Sequence, residues 1–279
     1  MKAKHWLIAT VVVVLLAAVV RSDYHIYVLS LAGLFSILTV GLNFTMGLCG
    51  LTSLGHAAFW GIGAYTAALL LLRTRIPFIV ALVVGGLAGG LAGALLGVPS
   101  LKVRSFYLAI TTIGFNQIVD LILNNWVNVT RGPDGLPGIP SPALGPFILD
   151  SPREKYMLIM CCLLLAVWAF SRIKESRVGR AFQAIKDDEL AAELMGINIH
   201  YYKVLAFALG AAVAAIAGGL YACFIGYVSP DTFSNATSTL IVSMLLVGGP
   251  GSVWGAVIGG CLLEVLPEWM RFLRDYYMA

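Results

Sequence analysis

The stretch VVGGLAGGLAGALLGVP, residues 83–99, sets Gly85, Gly89, Gly93 and Gly97 four apart in an otherwise aliphatic run. Residues four apart share one helical face, so these glycines form a groove along which a second backbone can approach closely. Inside a bilayer, lipid removes the hydrophobic drive between helices and close packing takes its place, which makes such a groove a membrane-helix device. Gly210, Ala214 and Gly218 repeat it in a second apolar run. LAGGLAGALLG (87–97) also matches IAGGLYACFIG (216–226) at five of eleven positions. Two such helices running in opposite directions would form an inverted repeat, a common transporter design; shared Gly/Ala composition is the competing explanation.

The whole chain agrees with that environment. Of 279 residues, 59% are hydrophobic and 11% charged, and the mean hydropathy is +0.90. That is too little polar surface for a water-soluble globule. The expected fold is an all-α polytopic membrane protein forming one transmembrane domain over residues 1–279, with the lipid bilayer as its first partner and nucleic acid not among the others. A span needs roughly 17–25 apolar residues. Runs of that kind lie near 5–20, 26–46, 54–72, 77–98, 105–125, 156–171, 204–226 and 252–270, which predicts about eight transmembrane helices. Residues 238–248 are too short to span and precede GGPGS, so they read as a re-entrant piece or half-helix. The start, MKAKHWLIATVVVVLLAAVV, has the outline of a signal peptide but no small-residue cleavage site, and reads as a retained first span.

Eight spans put both termini on one side. That side carries 12 Lys/Arg against 6 on the other, so both termini and the loop at 172–203 are expected in the cytoplasm, and the proline-rich loop at 126–155 outside. Six prolines in the latter predict a folded-over cap or an extended linker and not another helix.

Charge is clumped where water must be. Residues 171–203 hold 11 of the 32 charged side chains. Within them GRAFQAIKDDELAAELMGI (179–197) predicts one helix broken at Lys186, Asp187 and Asp188, a second of about two turns, and a left-handed stop at Gly196. Such a helix lies in water, and its small residues suit it to a cleft on a cytoplasmic partner; a solvated loop helix touching nothing is the plainer alternative. Lys174 lies nearer the span and outside the expected contact.

Signatures of chemistry are sparse. The sequence contains no phosphate-binding G-x-x-x-x-G-K-[ST] loop, no H-E-x-x-H and no G-x-S-x-G. Five cysteines lie in apolar or glycine-rich runs without C-x-x-C spacing, so neither a disulfide framework nor a metal site is expected, and no cofactor. Ionisable groups within spans are few: His56, Asp120 and Glu264. Asp120 and Asn116 are four apart and share a face; they line a polar path or form a polar interface between helices. His56 is a path residue or a hydrogen-bonded packing residue.

LAAELMG (190–196) resembles the E-A-A-x-x-x-G motif of ABC importer permeases, with Ala191, Ala192 and Gly196 in place, Leu190 at the glutamate position and Glu189 before it. GLTSLGHAAFWGIGAYTAALL (50–70), FYLAITTIGFNQI (106–118), DGLPGIP (134–140), YVSPDTF (227–233) and VGGPGSVWGAVIGG (247–260) are similar, in order and spacing, to the LivM-type permeases of branched-chain amino-acid ABC transporters. The resemblance implies a permease subunit that is not itself an enzyme, in a bacterial cytoplasmic membrane. Its implied partners are a homologous LivH-like permease, two cytoplasmic ABC ATPases and an external or periplasmic solute-binding protein. Ala181, Asp188, Glu189, Ala191, Ala192 and Gly196 would then belong to the coupling helix seated on an ATPase. His56, Tyr65, Tyr107, Asn116 and Asp120 would be candidates for the translocation path. One departure stands out: Thr130-Arg131-Gly132-Pro133 replaces the T-G-G of many relatives. Relatives for urea, short amides or aromatic acids share the pattern, and an ion-driven secondary carrier using Asp120 is the reading from another class.

Overall fold

A computed structural model describes residues 22–277 apart from 75, 101–104 and 146. The helices are α1 (Asp23–Leu42), prolonged by a π-helical turn at Asn43–Leu48, α2 (His56–Thr74), α3 (Phe78–Ser100), α4 (Ser105–Asn125), α5 (Pro152–Glu175), α6 (Arg177–Asp187), α7 (Glu189–Leu194), α8 (Ile199–Ile225), α9 (Asn235–Gly248) and α10 (Val253–Tyr277). The protein is an all-α polytopic membrane fold. Among the described residues six helices are long and apolar enough to cross a bilayer: Asp23–Leu48, α2, α3, α5, α8 and the Val253–Met270 part of α10. The expected span at 105–125 is a helix, α4, but a more polar one, with Asn116, Gln117, Asp120, Asn124 and Asn125 along it. The expected span at 5–20 lies outside the described residues.

The glycine runs sit at the tightest crossings. A β-carbon at Gly89 would overlap that of Ala215, one at Gly93 would come 2.6 Å from the Phe207 carbonyl, and one at Gly97 2.9 Å from the Val204 backbone. Rising numbers on α3 meet falling numbers on α8, so these helices are antiparallel. Gly85 faces α2 instead, near Gly63, and Gly218 packs onto the α2 backbone at Trp60 and Ala64. Gly210 abuts Gly41 of α1. Thus α1, α2, α3 and α8 form one close sheaf around a core that includes Trp60, Phe44, Phe59 and Phe207.

Both ends of the bundle are closed by short elements. At one end the segment after α4 makes a helical turn at Val127–Thr130 and a 3₁₀ turn at Gly132–Asp134. It then pairs strand β1 (Leu136–Pro137) with β4 (Tyr227–Val228), while β2 (Ala143–Leu144) and β3 (Phe147–Ile148) form a hairpin. The loop is therefore a cap tied to the end of α8, with Ile139 N–H donating to Gly226 O at 3.1 Å. At the other end, α6 and α7 join α5 to α8.

One part of the expected topology is corrected. Residues 226–234 enter from the capped end, and α9 carries the chain on to the opposite end, where Gly251 N–H donates to Asn43 Oδ1 at 2.7 Å. The half-helix completes a crossing; it does not return to its own side. In consequence α10 runs antiparallel to α1, with contacts Thr39 to Ala256, Ser36 to Val257 and Tyr24 to Glu268. The far end of α10 therefore lies at the capped end, opposite α6 and α7. Counting a short helix as re-entrant inverted the direction expected for α10.

Candidate translocation site

Two crossings are broken at the middle, and their helix starts meet. The first span ends at Leu48, and the chain runs unwound through 49–55 before α2 begins at His56. His56 sits at the level of Gly41: a β-carbon on that glycine would be 3.2 Å from Nε2. Gly41 is seven residues short of Leu48, so α2 starts about 10 Å inside the end of the bundle at 1.5 Å per residue. α9, 14 residues long, measures about 21 Å, less than the roughly 30 Å of a bilayer core. Its start is reached by the extended residues 227–229 and a 3₁₀ turn at Pro230–Phe233.

The two starts share polar groups. Ala57 N–H donates to Ser238 Oγ at 2.9 Å, and that hydroxyl donates in turn to Asn116 Oδ1 at 3.4 Å. Asn116 Nδ2 donates to Phe233 O at 3.3 Å, Leu54 N–H to Thr112 Oγ1 at 2.9 Å, and Asn235 Nδ2 to Gln117 Oε1 at 3.1 Å. Gly55 lies so close to Thr112 that a β-carbon there would overlap the Thr112 carbonyl, which is why the unwound segment can lean on α4. Buried backbone polar groups freed by a break in lipid need such partners. Beside the junction, the Phe233 ring packs edge-on against Trp60 (centroids 4.9 Å apart) and Tyr65 (6.0 Å). Ser53 Oγ, His56 Nε2, Trp60 Nε1, Tyr65 OH and Asn235 Oδ1 are buried there without a hydrogen-bond partner.

Of the residues singled out from sequence, His56, Tyr65 and Asn116 therefore border the junction, all buried. Tyr107 is exposed near the start of α4, more than two turns from Asn116. Asp120 is half-buried one turn beyond Asn116, its Oδ1 accepting from Asn124 Nδ2 at 3.0 Å. Sequence reasoning missed Ser238, Phe233, Gln117 and Thr112. The run SNATS at the head of a half-helix was the available signal, because serine, threonine and asparagine gather where helix starts need capping.

The exposed faces differ in kind. α3 presents Ile79, Val83, Leu87, Leu91 and Leu95, all aliphatic. α4 and α9 present Gln117, Asn125 and Thr239 among their apolar residues. Polar side chains at lipid depth are expensive unless they face protein or water. The α4–α9 face is thus less uniformly apolar than that of α3.

The loop end presents a second exposed surface. Asp188 is extended, and its carboxylate accepts from Leu190 N–H at 2.9 Å and Ala191 N–H at 3.0 Å, starting α7. Gly196 ends it at φ +81°. Ala192 is 4% exposed and Ala181 is buried, so both pack on the chain itself. Glu189 pairs with the buried Lys203 of α8. α7 and its end expose Leu190, Leu194 and Met195, at 67%, 80% and 83%, beside Ala191, Glu193 and Gly196. Lys174 Nζ reaches Gly251 O at 2.6 Å, so it is no bystander.

The sequence family described as "Branched-chain amino acid transport system / permease component" matches residues 24–277. A permease protein named LivM from Escherichia coli K12, of a high-affinity branched-chain amino acid transport system, is 34% identical over 302 aligned positions, covering 99% of this chain and 71% of that protein. LivH of the same kind of system from Salmonella typhimurium is 28% identical over 257, covering 85% and 81%. The autoinducer 2 import permease LsrC of Klebsiella pneumoniae is 31% identical over 182, covering 63% and 51%. No solved structure matches. With the family matched along nearly all the described residues, and a broken-helix polar junction inside an all-helical bundle, the chain belongs to the branched-chain amino acid transport system permease family.

Proposed function

We propose that this chain is the transmembrane permease subunit of an ATP-driven importer of branched-chain or closely related amino acids. The observation that carries the reading is the contrast between the wholly aliphatic exposed face of α3 and that of α4 and α9, where Gln117, Asn125 and Thr239 stand exposed among apolar residues. A homologous permease covers the α4–α9 face, and the solute passes between the two subunits at the level of Ser238 and Asn116. Weak, neutral polar groups suit a zwitterion that must be released as readily as it is admitted. Two cytoplasmic ATPases receive α7 through Leu190, Leu194 and Met195, and an external binding protein delivers solute to the cap at 126–149.

The end bearing α6 and α7 is cytoplasmic in this reading. Reversing α10 narrows the Lys/Arg excess on that side from 12 against 6 to 10 against 8, so the orientation rests mainly on the six cations of 172–203. The test is purification of the chain with its bound partners in mild detergent, followed by a binding screen of the co-purified solute-binding protein against amino acids, amides and urea. Recovery of ATPases and a binding protein selective for leucine, isoleucine or valine supports the reading. Selectivity for urea or amides would move the substrate class, and absence of ATPases would remove the reading.

A further inference from the structure

Where α5 passes into α6, two lysines, one at the end of each helix, bond backbone carbonyls of the membrane part, in addition to the Glu189–Lys203 pair between α7 and α8. Lys186 Nζ, at the end of α6, donates to Gly47 O at 2.9 Å, and Lys174 Nζ, at the end of α5, donates to Gly251 O at 2.6 Å. Gly47 lies in the π-helical turn that ends the first span. Gly251 lies in the turn between α9 and α10, at φ +89°. Asn43 clamps the two turns to each other: its Oδ1 accepts from Gly251 N–H at 2.7 Å and its Nδ2 donates to Ser252 O at 3.0 Å. A β-carbon on Gly47 would overlap Asn43 Oδ1, so the clamp requires glycine there.

We propose that Lys186 and Lys174 are positioning residues that transmit movement of α6 and α7 to the translocation junction, Lys186 through the end of the first span and Lys174 through Gly251 to α9. The inference rests on the importer reading. α9 is a short continuous helix whose far end carries Asn235 and Ser238, so a displacement at Gly251 moves those groups as one body. α10 goes with it, because Gly248 and Gly255 touch backbone to backbone. The first span ends in a π-helical turn, a geometry frequent at functional sites. A lysine bonded to a carbonyl is a charge-assisted, directional link. Unlike a buried ion pair, it leaves no opposite charge stranded if it lets go.

The test uses the complete reconstituted complex, with Lys174→Met and Lys186→Met together. Assembly with the ATPases and basal ATP hydrolysis should persist, while ATP consumed per solute delivered rises about tenfold, the size of a typical coupling between sites. Lys174→Arg with Lys186→Arg should bring the ratio back. An unchanged ratio in the methionine pair would overturn the proposal. Should that pair fail to assemble, spin labels on the parent chain decide: the distance from Gln183 to Leu246 should hold constant between nucleotide-free and ATP-bound states while that from Gln183 to Leu91 changes. A change in the Gln183 to Leu246 distance would mean that the links break, and would overturn it. A parent chain that recruits no ATPase would instead overturn the importer reading beneath it.

Discussion

The hydroxyl of Ser238 accepts a hydrogen bond at 2.9 Å from the backbone N–H of Ala57, 181 residues away in sequence, so α9 caps the start of α2. Ser238→Ala strands a buried amide and loosens Asn116 as well. Leaving such a donor unmade costs about 1–3 kcal/mol. We expect a lowered unfolding temperature for the purified permease and slower uptake. Ser243→Ala, whose hydroxyl only bonds back to Thr239 O of its own helix, serves as the near-neutral comparison.

Close approach of α3 and α8 makes a second prediction. Gly89→Leu or Gly93→Leu forces the Ala211 and Ala215 backbone away, and overpacking of this kind costs about 1–3 kcal/mol or more. Complex yield and thermal stability should both fall. Gly114→Ala, where a β-carbon meets nothing within 4 Å, should leave the fold of the isolated subunit as it is.

Arg131 is the one described non-glycine residue with positive φ, at +62°. A side chain in the left-handed region costs roughly 1–2 kcal/mol, and glycine regains part of that at the expense of a more flexible unfolded chain. Arg131→Gly should therefore stabilise the cap, by up to about 1 kcal/mol, read as slower proteolysis of the 126–149 loop. Faster proteolysis would show that the arginine side chain contributes more than its backbone costs.

Much of this was legible in the sequence, and the failures have physical causes. Glycines in register and apolar runs of span length mark helices and close crossings, because in lipid few other patterns fold. Asp188 and Gly196 mark the limits of α7, since capping chemistry is local. The direction of α10 was not legible: a half-helix that completes a crossing and one that returns have the same length and polarity, and contacts distant in sequence, those of Asn43 with 251–252 and of α1 with α10, separate them. Nor was the outer face of α7, because burial of Ala192 depends on packing against residues distant in sequence. Of the small residues expected at a partner surface, Ala181 and Ala192 fit against the chain itself, while Ala191 and Gly196 stay exposed.

The burial of Ala192 changes which substitutions report on the ATPases. Leu194→Asp or Met195→Asp, at the exposed tip of α7, should abolish ATPase co-purification while the permease keeps its own unfolding temperature. Ala192→Arg should instead destabilise the permease itself, since its β-carbon faces the core. Retention of the ATPases by both aspartate variants would leave α7 as a solvated loop helix.

The most direct measurement is uptake of radiolabelled leucine into vesicles holding the reconstituted complex and its binding protein, with ATP supplied or withheld and ion gradients intact or collapsed. Uptake should require ATP and survive loss of the gradients. It should persist with Asp120→Asn, because an amide oxygen there can still accept the hydrogen bond from Asn124. Uptake that follows the proton gradient, needs no ATP and vanishes with Asp120→Asn would contradict the account.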